Sequence, residues 1–255
     1  MSNRNDDPAG VMQYAGRYAG GKALIVLGGT SAKEWKKLCD EIKPSVILGA
    51  NGVNAMIADL HFWLCIENMR RTFKLAVRKD MRALKLIAML RRTGAKVRLT
   101  NWKNIPFIPD KKKLIAVQRC GAFDLSDFPA DFSFRKYGNG FLKGGLMRNK
   151  SAIGDLKLPI GTVALQAIHL AGILGVAEIH TVGLDLCFKG KDHHAYPYPE
   201  YAENRYFLKD NFLTYKGFQT MAFWVESSEY LLGIIPRLKK EGIEWTDHSD
   251  GLLQR

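Results

Sequence analysis

This sequence lacks both long apolar runs and a secretion signal. No stretch approaches the roughly 20 apolar residues that cross a bilayer, and the opening residues Met1–Pro8 have no apolar core. Cysteine is scarce: the chain has only Cys39, Cys65, Cys120 and Cys187, and no two of them have Cys-x-x-Cys spacing. We therefore expect a cytoplasmic protein without a membrane span, whose thiols are buried and build no zinc or disulfide framework.

Acidic residues are too few to balance the basic ones. The chain has 38 lysines and arginines against 25 aspartates and glutamates, a formal net charge of +13. The basic residues concentrate between Arg70 and Lys113. This excess predicts a polyanionic partner such as DNA or RNA, an anionic glycan or a phosphorylated donor. A solvated helix face would explain the same run, and both interpretations stay open.

The sequence has no internal repeat and no low-complexity tract. Its 255 residues, 47% of them hydrophobic, are enough to fold around one sizeable core. Residues 1–20 are polar and contain glycine, so we predict a flexible lead there. Residues 21–255 are predicted to form a single α/β domain, because short β-rich runs alternate with helical ones.

The apolar pattern gives the order of the predicted elements. In the first half it predicts strands at Lys22–Leu27, Ser45–Gly49, His61–Ile66 and Lys96–Thr100, and helices at Ala32–Cys39 and Asp80–Arg92. In the second half it predicts helices at Thr162–Ala171 and Met221–Lys240, and strands at Glu178–Leu186 and Gly242–Thr246. Residues 101–155 are rich in proline, glycine and aromatics, which predicts an irregular insertion or active-site lid.

A glycine turn follows the first predicted strand. Gly28, Gly29, Thr30 and Ser31 stand between that strand and a helix, where backbone N–H groups and the helix dipole can hold a phosphate. The turn matches neither Gly-x-Gly-x-x-Gly nor a Walker loop, so a tight turn without a ligand is the other interpretation. Asn51 ends the second strand and could bind a base or ribose, or serve as a turn residue.

Two adjacent imidazoles, His193 and His194, follow the strand that ends in Gly183-Leu184-Asp185. Open α/β sheets bind ligands beyond the carboxyl ends of their strands, so either histidine is a candidate general base or acid. A structural loop is the alternative. Asp185 could orient an imidazole or bind a metal, although no spacing in this region predicts a dedicated metal site. Three other histidines lie in apolar runs and are predicted as core residues: His61, His169 and His180.

Several segments, in this order, resemble the motility-accessory-factor domain family. They are Leu24–Ser31, Val46–Asn51, Gly161–Ala167 and Ala177–Leu186. That family includes the archaeal hydroxymethyl-dihydropterin pyrophosphokinases and is similar to the bacterial lipooligosaccharide sialyltransferases, whose domain ends in a segment that Asp247–Leu253 resembles. The resemblance spans residues 22–196 and implies a Rossmann-like fold, with a mostly parallel sheet and helices on both faces.

The resemblance also implies a set of site residues. A nucleotide donor would be held by Gly28, Gly29, Thr30, Ser31 and Asn51, and the turn before Gly161 and Thr162 would approach its phosphates. Lys157 aligns with an arginine of the sialyltransferases and would, with neighbouring bases, stabilise the departing nucleotide. No histidine between residues 204 and 223 matches the sialyltransferase base, so the base here would be His193 or His194.

The sequence therefore predicts an enzyme, a transferase that moves a sugar from a nucleotide-sugar donor to a hydroxyl. Nucleic acid, DNA in particular, is a candidate acceptor, and no tightly bound cofactor is expected. A second hypothesis is a pyrophosphokinase that uses ATP and magnesium, with Asp59, Glu67 and Asp185 as the available carboxylates. A third is a nucleic-acid-binding module without catalysis. The donor, the acceptor and the oligomeric state stay open.

Overall fold

The structure is a computed structural model that describes residues 14–57, 59–65, 85–90, 114–118, 135, 163–189, 194–195 and 212–254, with the backbone alone at 85–90 and 114–118. Three α-helices are described: α1 (Trp35–Ile42), α2 (Val163–Ile173) and α3 (Ala222–Lys240). Two short 3-10 helices, Thr30–Glu34 and Asn51–Ala55, follow the first two strands. No helix in these ranges is long and apolar enough to cross a membrane.

Within the described ranges, seven strands form one sheet in which every neighbouring pair is parallel. They are β1 (Lys22–Val26), β2 (Val46–Ala50), β3 (Phe62–Cys65), β4 (Lys85–Leu90), β5 (Leu114–Gln118), β6 (Glu178–Val182) and β9 (Glu244–Asp247). A separate antiparallel hairpin consists of β7 (Phe212–Tyr215) and β8 (Phe218–Met221). The predicted α/β class with a mostly parallel sheet is confirmed.

The strand order is β5-β4-β3-β2-β1-β6-β9, so the direction in which the sheet grows reverses at β1. Ile25 of β1 lies opposite Leu48 of β2 on one side and Thr181 of β6 on the other. The segments that leave β1 and β6 therefore start next to each other. Such a reversal opens a crevice outside the carboxyl ends of the strands.

Both faces of β1 are buried. Ala23 and Ile25 belong to a core cluster with side chains of α2 and α3, and Leu24 and Val26 on the other face are equally inaccessible. Strands covered on both faces read as continuous apolar runs, which is why the sequence predicted this strand well. Helix α2 is buried almost all round, and this explains why its sequence has no polar face.

One predicted helix is wrong. Residues 85–90, inside the helix predicted at Asp80–Arg92, form strand β4 between β3 and β5. A short apolar run fits a buried strand and a buried helix equally, and here the pairing with two neighbouring strands decides. The strand predicted at Lys96–Thr100 lies outside the described residues.

The segment predicted as an irregular insertion contains a regular element. Strand β5 lies within residues 101–155 and pairs with β4, so that part of the segment belongs to the sheet. Arg135 is also described, and its guanidinium donates to the carbonyl oxygens of Glu241 and Gly242 at 3.0 and 3.2 Å. The remainder of the predicted lid lies outside the described residues.

Residues 14–20, predicted as part of a flexible lead, are bonded to the end of α2. The backbone N–H groups of Gly16, Tyr18 and Gly20 donate to the carbonyl oxygens of residues 173, 174 and 175 at 2.9, 2.8 and 3.1 Å. Tyr14 is only 5% exposed and packs edge-on against Phe62. This stretch therefore covers part of the core.

Candidate functional site

Three of the predicted site residues meet at the carboxyl ends of β1 and β6. The Asp185 carboxylate accepts hydrogen bonds from the Thr30 hydroxyl at 2.8 Å, from the Ser31 backbone N–H at 3.0 Å and from the Ser31 hydroxyl. Asp185 is only 2% exposed. Burying a carboxylate is costly unless donors surround it, and these three donors meet that need.

Two glycines allow the backbones to approach so closely. The Gly29 N–H donates to the Gly183 carbonyl oxygen at 2.8 Å, and the Gly183 N–H donates to the Ser31 hydroxyl oxygen at 3.0 Å. A Cβ on Gly29 would lie 2.7 Å from the Gly183 oxygen and 2.8 Å from the Asp185 carboxylate. Gly183 also has a φ of +79°, a conformation that favours glycine.

His194 lies beside the same turn. Its Nδ1 is 3.2 Å from the Gly28 carbonyl oxygen, which also accepts the Ala195 N–H at 3.0 Å. A carbonyl oxygen only accepts, so Nδ1 carries a proton and a neutral ring has its lone pair on Nε2. The group that orients the imidazole here is thus the Gly28 carbonyl, whereas Asp185, predicted for that role, bonds to Thr30 and Ser31.

Asn51 lies at the carboxyl end of β2, the neighbour of β1. Its φ is +50°, which asparagine tolerates better than most residues. Its carbonyl oxygen accepts a hydrogen bond from Nε1 of the buried Trp63 at 2.6 Å. The backbone of Asn51 is therefore fixed at the same sheet edge as the glycine turn.

The segment after β9 closes the site from the other side, which the residue patterns did not predict. The Leu184 N–H donates to the Ser249 hydroxyl at 2.7 Å, and the Leu252 N–H donates to the Asp185 carbonyl oxygen at 3.0 Å. A Cβ on Gly251 would overlap that same Asp185 oxygen. The available signal was the resemblance of Asp247–Leu253 to the end of the sialyltransferase domain.

A second carboxyl group lies beneath this segment. Asp247 Oδ1 accepts hydrogen bonds from the hydroxyls of Thr181 at 2.6 Å and Ser249 at 2.8 Å, and Oδ2 is buried without a partner in the described chain. Burial raises the pKa of Asp247, the Thr181 and Ser249 hydrogen bonds oppose the shift, and the nearby Asp185 adds to it. Two carboxyl groups thus lie at the ends of adjacent strands.

Among the described thiols, that of Cys187 lies beside this site, in surroundings that disfavour the thiolate. Cys187 is 4% exposed, and burial, together with the Asp185 charge, raises its pKa to about 11. The thiolate, the reactive form, is therefore scarce. Cys187 and the half-buried Cys39 are both free, and the predicted burial of Cys187 is confirmed.

The remaining predicted residues divide into two groups. His193, Lys157, Gly161 and Thr162 lie outside the described residues, as does Glu67. Asp59 is exposed, and among the described side chains no group of three His, Cys, Asp or Glu residues could hold a metal ion. Of the predicted core histidines, His169 is buried, and the half-buried rings of His61 and His180 are hydrogen-bonded.

Comparison of the chain with protein-family models, with curated proteins and with solved structures found no match. The resemblance to the motility-accessory-factor family therefore stays a prediction. The case for a function depends on the geometry at the carboxyl ends of β1, β2 and β6.

Proposed function

We propose that the protein is a Rossmann-like transferase, which binds a nucleotide-sugar donor beside Gly28–Ser31 and moves its sugar to an acceptor hydroxyl. One observation carries the proposal: Asp185 and His194, both after β6, contact the turn after β1. The contact lies where the strand order reverses, which is the usual ligand position in open parallel sheets.

The hydrogen bonds that the Gly28–Ser31 turn already makes determine where a nucleotide-sugar donor can bind. The Ser31 N–H is already donated to Asp185, so a donor phosphate would take the N–H groups of Gly28 and Thr30. Those two groups donate no hydrogen bond within the described chain. Asn51, at the next strand end, would hold the base or ribose.

His194 would act as the general base. The acceptor hydroxyl oxygen forms a bond to the anomeric carbon of the donor, and the bond from that carbon to the phosphate oxygen breaks. The electron pair leaves with the nucleotide, where Lys157 would neutralise the charge. The hydroxyl proton passes to Nε2 of His194, the nitrogen opposite the one that donates to Gly28. The net charge of +13 favours a polyanionic acceptor, nucleic acid among them.

A thermal-shift panel of nucleotides and nucleotide sugars tests donor binding. At a hundredfold excess over its Kd, a ligand stabilises the fold by about 2.7 kcal/mol. Asn51→Gly removes the side chain and keeps the positive φ, so it should abolish the shift with little change in the unliganded Tm. Lys216→Gly is the matched control, because Lys216 has a φ of +51° in a hairpin turn. Equal shifts in both variants would reject this binding site.

Turnover tests the base. His194→Gln should lower kcat by roughly a hundredfold to ten-thousandfold and leave donor affinity nearly intact, since general-base catalysis contributes about that much. His193→Gln, measured in parallel, decides between the two imidazoles. Nucleotide binding that requires magnesium would favour the pyrophosphokinase hypothesis, and salt-dependent nucleic-acid binding without any nucleotide shift would favour the non-catalytic one.

A further inference from the structure

Two imidazoles share a hydrogen bond between β6 and the segment after β9. Nδ1 of His180 lies 3.0 Å from Nε2 of His248, and the ring centroids are 5.3 Å apart. The distance between the ring centroids equals the distance between the two nitrogens plus the distance from each centroid to its own nitrogen. The two nitrogens therefore point directly at each other. This is the geometry of one hydrogen bond between two rings, because two ligands of one metal ion would be angled toward it.

Charged groups surround the pair on several elements. On the far side of His180, Nε2 lies 3.4 Å from the Glu178 carboxylate, which also forms an ion pair with Lys22 of β1 at 2.9 Å. Glu244 of β9 is in register with Glu178. On β9, Asp247 directly precedes His248, and burial raises the pKa of this carboxyl group.

The shared hydrogen bond depends on protonation. An N–H···N bond needs one nitrogen without a proton, so at least one ring must be neutral. When both rings are protonated, two N–H donors and two positive charges face each other across 3.0 Å. Burial lowers the pKa of His180 from 6.5, the hydrogen bond that His180 donates to Glu178 opposes this, and His248 lowers it further.

The pair lies at the start of the segment that closes the candidate site. The His248 backbone N–H donates to the Thr181 carbonyl oxygen at 2.8 Å. The next residue, Ser249, accepts the Leu184 N–H, and Leu252 donates to Asp185. Residues 248–252 and the Gly183–Asp185 turn are thus held together by a few hydrogen bonds that begin at His248.

We propose that the His180–His248 pair is a pH-dependent latch, which holds residues 248–252 against Gly183–Asp185 at neutral pH and releases them when both rings are protonated. The latch would regulate the proposed site, and only this regulatory consequence rests on the proposed function. Its test involves no nucleotide, so the latch and the transferase proposal fail separately.

The sign of the effect follows from the lowered pKa. A histidine that is harder to protonate in the folded state takes up its proton more readily on unfolding or opening. The stabilisation is complete above pH 6.5, the ordinary histidine value, and is lost as the pH falls below it toward the folded-state pKa of His180.

Hydrogen exchange on the full chain tests the latch at about pH 7.5 and about pH 5.5, with the rates corrected for their intrinsic pH dependence. In the wild type, protection of the His248 and Leu252 amides should fall at the lower pH, by up to about tenfold for one histidine, since pH 5.5 lies one unit below the ordinary histidine pKa of 6.5. Protection within α2 should stay unchanged. His248→Gln cannot be protonated at position 248 and keeps a hydrogen-bonding amide. Because His180 stays buried in this variant, its protection should still fall between the two pH values, but less than in the wild type.

His61→Gln is the matched control. Burial also lowers the pKa of His61, whose Nδ1 accepts the Ile47 N–H at 3.1 Å, but this ring lies between β2 and β3, away from the segment after β9. Its removal should leave the pH dependence at His248 and Leu252 intact. Equal wild-type protection at both pH values overturns the latch, as does a pH dependence in His248→Gln that is as large as in the wild type. Should that variant not fold, His180→Gln repeats the test from the other ring.

Discussion

Asp185 connects parts of the chain that are far apart in sequence. Its carboxylate bonds to Thr30, 155 positions away, and its carbonyl oxygen accepts the Leu252 N–H. Hydrogen bonds to a charged group contribute about 1.5–3 kcal/mol each, and a buried donor left without a partner costs about 1–3 kcal/mol. Removing this side chain would therefore disturb the fold of the site, so a loss of activity in an Asp185 variant would not by itself identify a catalytic residue.

The backbone of Asp185 leaves no room for a side chain at position 251. Gly251→Ala should lower the free energy of unfolding by about 1–3 kcal/mol, because the new methyl group overlaps the Asp185 carbonyl oxygen and the backbone must shift. Urea unfolding with two probes would measure the change. The same substitution at Gly233, exposed in the interior of α3, should instead stabilise by about 0.4–1 kcal/mol. A neutral Gly251→Ala would show that the segment after β9 does not pack on Asp185.

At the scale of secondary structure, burial on both faces made some elements easy to predict. Strand β1 and helix α2 are mostly apolar because both are buried, and the polar exceptions are Lys22, Gln166 and His169. Their ends match the prediction to within two residues. The same property explains the error at β4. Its apolar residues fit the helical spacing as well as a strand, and only the partners β3 and β5 determine the outcome.

Other elements were missed because their signals are local and weak. Strand β5 lies in a segment whose prolines and glycines predicted irregular structure. The β7–β8 hairpin turns at Lys216-Gly217, both with positive φ, which is the backbone of a tight hairpin turn without its usual asparagine or aspartate. In both cases the pairing partner, not the local sequence, stabilises the strand.

The candidate site illustrates the same limit. The turn Gly28–Ser31 and the strand end Gly183–Asp185 were each predicted as separate features, and so was His194. Their contact depends on β1 and β6 being neighbours, which strand order along the chain does not reveal. Ser249 and Gly251 were missed for a related reason, because the chain end returns to the site only through the pairing of β9 with β6.

At the scale of the whole molecule, the excess of positive charge comes from one stretch of the chain. Residues 70–113 carry 15 lysines and arginines against two acids, which equals the full net charge of +13, and the rest of the chain has 23 of each. Helix α1 and the 3-10 helix before it are an example of a segment with balanced charge, because lysines alternate there with glutamate and aspartate. A surface whose only task was solubility would not need one segment so different from the others.

Because the excess charge lies in residues 70–113, we predict that nucleic-acid binding depends on which segment of the chain loses positive charge. Titrations across a range of salt concentrations would measure this binding. Arg91→Glu with Arg92→Glu should weaken binding to DNA or RNA and flatten the plot of log K against log salt, because the slope falls by about 0.9 for each phosphate that the protein no longer neutralises. Lys36→Glu with Lys37→Glu changes the net charge by the same amount on the exposed surface of α1, and it should leave most of the slope intact. Equal reductions in the two variants would mean that only the overall charge matters and that residues 70–113 form no specific surface. A wild type that binds neither polymer at low salt would remove nucleic acid from the candidate acceptors and direct the search to anionic glycans and small hydroxyl compounds.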